Sequence, residues 1–369
     1  MFVPELVALQ AGERPKTLVC DIHRPAREAL EYVYDDRPVN QVLRLPHGIT
    51  RVSNNTMPSL TAQALASLEI NEGHRVLEIG AGTGYAAALL GRLVGPTGSV
   101  FSVEIVPRFA EIARIAIAQL GLENVTIVEG DGVFGYPAAG IYDRVLASVS
   151  FRELPRAWLD QLVPNGKVAI PLRLIPGKDV LVVLNRQGQT LKGQGVCACG
   201  FQPLLSEEHF QLQEWVRADS DSGLRSLLEK PSEEMGFVGG IVRDEEEAYY
   251  LQLWLGLHEE WSRLVLNHQK NRAAHIAVVD PDRRSLAAWW VGERQIRFYG
   301  QSEARERFLR AYDRWAQQGR PGPCALRMHA SWEEIGDACS EAGRYVQMGS
   351  ATCRFWFETG GQTDATHSQ

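Results

Sequence analysis

Three glycines follow an apolar run in the sequence VLEIGAGTGY, which occupies residues 76–85. Gly80, Gly82 and Gly84 stand at every second position, and residues without a side chain let a ligand approach the backbone closely. A helix that begins directly after such a turn favours a negatively charged group at its N-terminus. The run therefore indicates ligand binding, although glycines can also serve only to make a tight turn.

The spacing of these glycines distinguishes between two kinds of ligand. A dinucleotide is expected to need G-x-G-x-x-G, but here position 85 is tyrosine and the third glycine comes one residue early. The spacing E-x-G-x-G-x-G is typical of the S-adenosylmethionine fold, whose ligand carries no pyrophosphate. The pattern favours S-adenosylmethionine and leaves a nicotinamide cofactor as the weaker alternative.

Three acidic residues fall where consecutive strands end. Glu78 could pair with the amino group of the cofactor, Glu104 with both ribose hydroxyls, and Asp131 with the adenine amino group. Taken singly, the two glutamates could be solvated strand-end charges and the aspartate part of a turn. Three acids in register on one sheet edge instead predict a cofactor site. The predicted cofactor-binding residues are Glu78, Gly80, Ala81, Gly82, Thr83, Gly84, Tyr85, Glu104, Ile105, Gly130, Asp131 and Gly132.

An alternation of strand and helix patterns surrounds these residues. The strand-like runs are RVLEI, SVFSVEI, NVTIVEG, YDRVLASV and GKVAIPL, and the helix-like runs are GYAAALLGRLV and PRFAEIARIAIAQLG. This alternation predicts an α/β fold with a doubly wound, mostly parallel sheet and right-handed crossovers. Ligands bind at the carboxyl ends of the strands in such a sheet, which is where the glycines and acids lie.

The regular alternation stops after DVLVVLNRQGQTLKGQ, which predicts a hairpin that turns at Gln187 and Gly188. Beyond it we predict a strand in AYYLQLWLGL, a meander in HIAVVDPDRRSLAAWWV and RQIRFYG, a helix in SEARERFLRAYDRWAQQ, and strands in PCALRMHA and SATCRFWFE. These runs predict a second α+β domain. The predicted boundaries are 1–70 for a helical lead-in, 71–195 for the binding domain, 196–359 for the α+β extension and 360–369 for a disordered tail.

Composition and charge exclude several classes of protein. The formal net charge of −7 comes from mixed acids and bases without a long basic run, which argues against a nucleic-acid partner. The six cysteines form no CxxC pair and no His-x3-His is present, so we expect buried free thiols and no metal site. The N-terminus lacks the pattern of a signal peptide, and no apolar run approaches the ~20 residues that span a bilayer. We therefore expect a cytoplasmic protein with no membrane contact.

Several segments resemble the protein-L-isoaspartate (D-aspartate) O-methyltransferase family. They are YDDRP at 34–38, TMPSLTAQAL at 56–65, VLEIGAGTGY at 76–85, ENVTIVEGDGVFGYP at 123–137, YDRVLASVS at 142–150 and LVPNGKVAIPL at 162–172. The glycine motif is shared by many methyltransferases, whereas GDGxxGYP combined with YDR and PxGKxxxP is specific to this family. The resemblance implies a Rossmann-like class I methyltransferase that moves a methyl group from S-adenosylmethionine to an aspartyl or isoaspartyl carboxylate of a peptide or protein. Such a carboxylate is already ionised at neutral pH, so no strong base is required.

The resemblance also indicates an acceptor site in the lead-in. Family members commonly carry a serine by the methyl-transfer site, two residues before the proline that opens the first helix, and Thr56 occupies that position. Thr56 is thus the predicted catalytic residue, with Asn55 and Ser53 as weaker candidates. The alternative is that Thr56 only helps to cap the helix that starts near Pro58.

The chain is longer than the single-domain repair enzymes of this family. Its extension resembles that of methyltransferases found with ribosomally made, modified peptides of the lanthipeptide, lasso and graspetide types. The resemblance implies a peptide substrate, with a cyclised precursor peptide as one candidate, whose methyl ester can close to a succinimide or aspartimide. The alternatives are a housekeeping repair enzyme and a non-catalytic protein that keeps the cofactor fold and binds peptides.

Other residues have competing interpretations. Ser148 and Ser150 could line the same cleft as Thr56. The acidic run 244–247 is interpreted as a solvated face. An aromatic cluster in the extension could form a peptide groove, although aromatic residues at alternate strand positions more often belong to a core. The cluster consists of Tyr249, Tyr250, Trp254, Trp289, Trp290, Phe298 and Tyr299.

Overall fold

The computed structural model describes most of the chain from residue 50 onward and short segments before it. The described residues are 5–8, 16–19, 36, 39–44, 50–175, 178–202, 215–218, 220–230, 232–236, 244–267, 272–290, 293, 295–333 and 344–358. The predicted disordered tail at 360–369 therefore lies outside the described residues, as do Cys20 and Cys339.

The lead-in contains strands where the sequence predicts mainly helix. Its strands are β1 (Glu5–Ala8), β2 (Lys16–Val19), β3 (Val39–Arg44) and β4 (Thr50–Asn55). They form an antiparallel sheet in the order β2-β1-β3-β4, followed by helix α1 (Pro58–Leu68). The expectation of a helical lead-in is wrong for this described part. Strands of four to six residues are too short to show a clear period in sequence.

The predicted doubly wound sheet is confirmed in the next part of the chain. Its elements are β5 (Arg75–Ile79), α2 (Tyr85–Leu93), β6 (Ser99–Glu104), α3 (Pro107–Gln119), β7 (Val125–Glu129), β8 (Tyr142–Ala147), α4 (Arg156–Asp160) and β9 (Leu162–Ile175). The five strands lie in the order β7-β6-β5-β8-β9, and all neighbours are parallel. The predicted hairpin follows as β10 (Lys178–Gln187) and β11 (Thr190–Cys199), antiparallel to β9.

The extension is an α+β unit, as predicted. Its elements are β12 (Trp215–Arg217), α5 (Ser222–Leu228), β13 (Ser232–Gly236), α6 (Glu245–His258), β14 (Leu264–Asn267), β15 (Arg272–Val279), β16 (Ser285–Trp290), β17 (Gln295–Gly300), α7 (Glu303–Gln317), β18 (Leu326–Ser331), β19 (Arg344–Met348) and β20 (Ala351–Phe357). Six of these strands form a sheet in the order β12-β14-β15-β16-β17-β13. The predicted meander is β15 to β17, and the predicted helix after it is α7.

The main sheet does not stop at the predicted domain boundary. Strand β11 pairs with β18, and β20 and β19 continue the same sheet to a total of ten strands. One hydrophobic cluster contains Val145 and Ile170 from the parallel strands together with Trp254, Trp315 and Phe355 from the extension. The boundary predicted between 195 and 196 falls inside β11, so the two units share both a sheet and a core.

Helix α6 corrects two expectations. The run AYYLQLWLGL was predicted as a strand, but it lies in a helix that is buried on several sides, so no amphipathic period shows in its sequence. The acidic run 244–247 was expected to be a solvated face, and Asp244 and Glu246 are exposed. Asp244 also caps the helix, because its Oδ1 accepts the Glu247 N–H at 2.8 Å. Glu247 is 3% exposed and pairs with Arg320 at 2.9 Å.

The aromatic cluster of the extension is core rather than groove. Trp254 and Trp290 are each 2% exposed, and Tyr250 is the half-buried member of the set. The remaining members are also buried: Tyr249, Trp289, Phe298 and Tyr299. The interpretation as a peptide-binding groove is therefore wrong.

The described cysteines are free thiols with different exposures. Cys353 is buried, Cys197 and Cys199 are half-buried, and Cys324 is exposed, which contradicts the expectation of burial for Cys324. In the part of the chain that the structure describes, no three or more His, Cys, Asp or Glu side chains are grouped to hold a metal ion. No helix among the same residues is both long and apolar enough to cross a membrane.

Candidate functional site

The glycine turn joins β5 to α2 at the carboxyl end of the parallel sheet. Gly80, Gly82 and Gly84 all have positive φ, at 90°, 53° and 89°, a region that other residues rarely adopt. A Cβ at position 80 would lie 2.9 Å from Cγ1 of Val149. Gly84 is the N-cap residue of α2, so the helix begins directly behind the turn. The backbone conformation thus explains why glycines occupy these positions.

Glu104 ties the end of β6 to this turn. Its Oε2 accepts the N–H of Gly82 at 2.8 Å, and its Oε1 accepts the N–H of Val106 at 2.9 Å. The side chain is 8% exposed, and burial raises the pKa of its carboxyl group. Each oxygen keeps a lone pair for a ligand hydroxyl.

Glu78 lies within β5 and is completely buried. Its Oε2 accepts a hydrogen bond from the Ser102 hydroxyl at 2.6 Å, and its Oε1 accepts one from the Ser148 hydroxyl at 3.0 Å. Burial raises the pKa of Glu78 to about 7, and the two serine hydroxyls and the nearby charge of Glu104 modify it less. The carboxyl group can therefore change its charge near neutral pH.

The third predicted acid lies in the turn after β7. Asp131 is half-buried, and its Oδ1 accepts the Val133 N–H at 2.9 Å. The neighbouring Gly132 is buried, and a Cβ there would lie 2.2 Å from Cγ2 of Ile79. The half-buried Ile105 directly follows Glu104. The structure thus places all three acids at the carboxyl ends of neighbouring parallel strands, as predicted.

A cleft lies beside the glycine turn. Its empty volume is about 460 Å³, part of which is open solvent. Thr56 and Glu78 share this cleft with part of the glycine turn, whereas Glu104 and Asp131 are not among its lining residues. The lining residues are Thr56, Thr61, Ala64, Glu78, Gly80, Ala81, Gly82, Tyr85, Ala86, Leu146, Ala147, Ser148 and Phe201.

The capping alternative for Thr56 does not hold. The N-cap residue of α1 is Met57, without a side-chain cap bond, and Pro58 begins the helix. The N–H of Ser59 is instead accepted by Oδ1 of Asp36 at 2.9 Å. Asp36 belongs to the YDDRP motif, so that motif stabilises the helix start and leaves the Thr56 hydroxyl without a capping role.

The remaining predicted residues differ in whether they reach the cleft. Ser53 and Asn55 lie in β4, where the structure describes the backbone and not the side chains. Ser148 lines the cleft as expected, but Ser150 is buried and its hydroxyl bonds to Asp179 at 3.0 Å.

Sequence reasoning missed Ser102 and Phe201. The parallel register places Ser102 opposite Glu78, so an alignment of the two strands could have indicated Ser102 as a site residue. No local pattern signals that Phe201 reaches the cleft.

The donors and acceptors at this edge of the sheet fit S-adenosylmethionine, although only Glu78 of the three acids is among the residues that line the cleft. Buried Glu104 presents oxygens suited to ribose hydroxyls, and half-buried Asp131 can accept from an adenine amino group. Glu78 lines the cleft and can pair, when ionised, with an ammonium group.

Comparisons with known proteins identify the family of the chain. The model of the protein-L-isoaspartate (D-aspartate) O-methyltransferase family matches residues 26–209. The protein-L-isoaspartate O-methyltransferase of Ignicoccus hospitalis is 36% identical over 183 residues, which are 49% of this chain and 82% of that protein. The enzyme of Methanopyrus kandleri is 34% identical over 49% of this chain and 80% of its own length.

A solved structure described as a protein-L-isoaspartate O-methyltransferase aligns with 81% of this chain and 84% of its own, at 26% identity and a TM-score of 0.48. The family model stops at residue 209, so the rest of the extension lies beyond that match. The chain belongs to the protein-L-isoaspartate (D-aspartate) O-methyltransferase family and is an S-adenosylmethionine-dependent methyltransferase.

Proposed function

We propose that the chain methylates an aspartyl or isoaspartyl side-chain carboxylate of a peptide, and that this peptide is a modified product of ribosomal synthesis. The observation that carries the methylation proposal is the shared cleft, where Thr56 of the lead-in and Glu78 of the glycine motif line one space. The peptide class is supported by the resemblance of the extension to methyltransferases found with such peptides.

The residues of the cleft and of the neighbouring strand ends would have different roles. S-adenosylmethionine supplies an electrophilic methyl group on a sulfonium. Glu104 and Asp131 would hold the nucleoside, and Glu78 would hold the amino group. Thr56 would donate its hydroxyl to one acceptor oxygen, so that the other oxygen faces the methyl carbon. The reaction depends on alignment of the acceptor carboxylate with the methyl group and on exclusion of water, because the carboxylate is already ionised. Ser53 and Asn55 remain weaker candidates for contacts with the acceptor.

The methyl ester of the product can react further. The nitrogen of the next backbone amide attacks the ester carbonyl, the amide loses its proton and methanol leaves. The result is a succinimide or aspartimide, and the step needs no additional reactant.

Mass spectrometry tests the proposal directly. The protein is incubated with S-adenosylmethionine and either an isoaspartyl peptide or a cyclised precursor peptide, and a gain of one CH2 unit is expected on one of them. A gain on the isoaspartyl peptide with none on precursor peptides favours a repair enzyme. Failure on both, with the cofactor still bound, favours the non-catalytic alternative.

Thr56 provides the matched test of the acceptor site. Thr56→Ser keeps the hydroxyl and is expected to retain activity, whereas Thr56→Ala is expected to lower kcat at least about tenfold, since one hydrogen bond to a charged group is worth roughly 1.5–3 kcal/mol. Cofactor affinity should be equal in both variants. Equal kcat in the two variants would exclude the hydroxyl from the reaction.

A further inference from the structure

A buried carboxylate outside the cleft organises the start of the extension. Asp179 in β10 is 1% exposed, and its Oδ1 accepts hydrogen bonds from the Ser150 hydroxyl at 3.0 Å and from Nε of Arg173 at 2.8 Å. Its Oδ2 accepts the backbone N–H of Phe201 at 3.0 Å. The guanidinium compensates the buried charge, so the carboxylate can serve as a fixed anchor.

A second hydrogen bond joins the Ser150–Asp179 pair to the segment that follows β11. The backbone N–H of Ser150 donates to the carbonyl oxygen of Gln202 at 2.8 Å. Phe201 and Gln202 are therefore each bonded to the Ser150–Asp179 pair. The side chain of Phe201 is half-buried and lines the cleft with Thr56 and Glu78.

Helix α6 of the extension is hydrogen-bonded to Asp179. The hydroxyl of Tyr249 donates to the backbone carbonyl of Asp179 at 2.5 Å, and Tyr249 is 8% exposed. Burial raises the pKa of Tyr249 well above its usual value, so its hydroxyl remains a neutral donor. A residue 40 positions beyond the family match thus bonds to the residue that fixes the cleft wall.

We propose that Asp179 is a positioning residue through which the extension holds Phe201 in the cleft wall, and that Phe201 determines which acceptor peptides bind. This inference rests on the proposed peptide methylation. The ring supplies an apolar surface in the cleft that Thr56 also lines, where residues that flank the acceptor would pass. Its position depends on Asp179, because the backbone of Phe201 is bonded to that carboxylate.

Tyr249 and its neighbour provide a matched pair of variants. Tyr249→Phe removes the hydroxyl that reaches Asp179. Tyr250→Phe removes a hydroxyl from the next residue of the same helix, whose partner is Glu246 on that helix. Both variants lose one hydroxyl and keep the ring, so a general effect on α6 would affect both.

The primary measurement is the Kd of an isoaspartyl peptide for protein saturated with S-adenosylhomocysteine, by calorimetry. Phe201→Ala should weaken binding about tenfold, as expected for loss of apolar contact area. Tyr249→Phe should weaken it roughly two- to tenfold, the usual effect of one hydrogen bond, and Asp179→Asn should change it in the same direction. Tyr250→Phe should match the wild type. The same Kd in wild type, Phe201→Ala and Tyr249→Phe would overturn the inference, as would an equal loss in Tyr250→Phe.

A second measurement addresses selectivity. Two peptides differ only in the residue after the acceptor, glycine or leucine, and Phe201→Ala should change the ratio of their affinities by at least about threefold. An unchanged ratio would refute the role in specificity. Methyl transfer by the wild type is measured separately. If peptide affinity depends on Phe201 and Tyr249 as expected but no methyl group is transferred, the result contradicts the proposed function and supports the inference. A wild type that binds no peptide contradicts the inference.

Discussion

The charge of Glu78 gives a prediction about stability that depends mainly on the burial of its side chain. The side chain is fully buried, and its pKa is raised from the ordinary value of 4.5 to about 7. The folded state therefore holds the proton more tightly than the unfolded state. The stabilising contribution of this proton is fully present below pH 4.5 and is lost as pH rises through 7.

The magnitude follows from the two pKa values. A difference of about 2.5 pH units, at 1.36 kcal/mol for each unit, corresponds to roughly 3 kcal/mol of unfolding free energy. Glu78→Gln replaces the carboxyl group by a neutral amide of the same shape, and its stability lacks this contribution. Relative to the wild type, the variant should therefore gain roughly 2–3 kcal/mol between pH 5 and pH 8, because the unfolded carboxyl group is already partly ionised at pH 5.

Urea unfolding of both proteins without cofactor, across pH 5 to 8, measures this difference. Any constant offset from the new hydrogen bonds of glutamine with Ser102 and Ser148 cancels, because only the change with pH is compared. Parallel stability curves for wild type and variant would refute the reasoning. Ser148→Ala is a useful second variant, since it removes one donor to the carboxylate and should raise the pKa of Glu78 further.

Two further predictions concern the turns around the cleft. Glu104→Gln should weaken binding of S-adenosylmethionine about ten- to a hundredfold in calorimetry. The amide nitrogen of the glutamine would have to face one of the two backbone N–H groups that donate to the carboxylate, that of Gly82 or that of Val106. Unchanged affinity would contradict the role of this carboxylate. Gly132→Ala should lower the free energy of unfolding by about 1–3 kcal/mol, because its Cβ would lie 2.2 Å from Ile79. Gly130→Ala is the control, since its nearest neighbour is at 3.8 Å, and equal stability of the two variants would exclude the clash.

Local patterns were sufficient for the cofactor side of the site. Glycine spacing and strand ends are short-range features, and parallel strands bring their carboxyl ends together by geometry. Glu78, Glu104 and Asp131 could therefore be assigned to one edge before any contact was known. Their burial and hydrogen bonds could not, because these depend on residues such as Ser102 and Ser148 from other strands.

Helix α6 shows where the sequence was misread. Its residues are apolar on several faces, so neither the helical period nor the alternation of a strand could identify it. The pair Asp244 and Glu247, three residues apart before an apolar run, is a capping signal that predicts a helix start. Phe201 is a different case, because its place beside Thr56 results from contacts between distant parts of the chain.

The shared core determines how the extension can act. A separate domain joined by a linker would influence the cleft only by proximity, but here β18 pairs with β11 and the buried Trp254 and Phe355 pack in the same cluster as β8 and β9. Removing the extension would expose that apolar face and the edge of β11 to solvent, which costs stability. Changes in the extension can thus reach the cleft through packing and through the bond from Tyr249 to Asp179. The extension therefore shares the sheet and the core of the methyltransferase fold, and under the proposed role of Phe201 its sequence would be a place where acceptor selectivity can be adjusted without altering the cofactor residues.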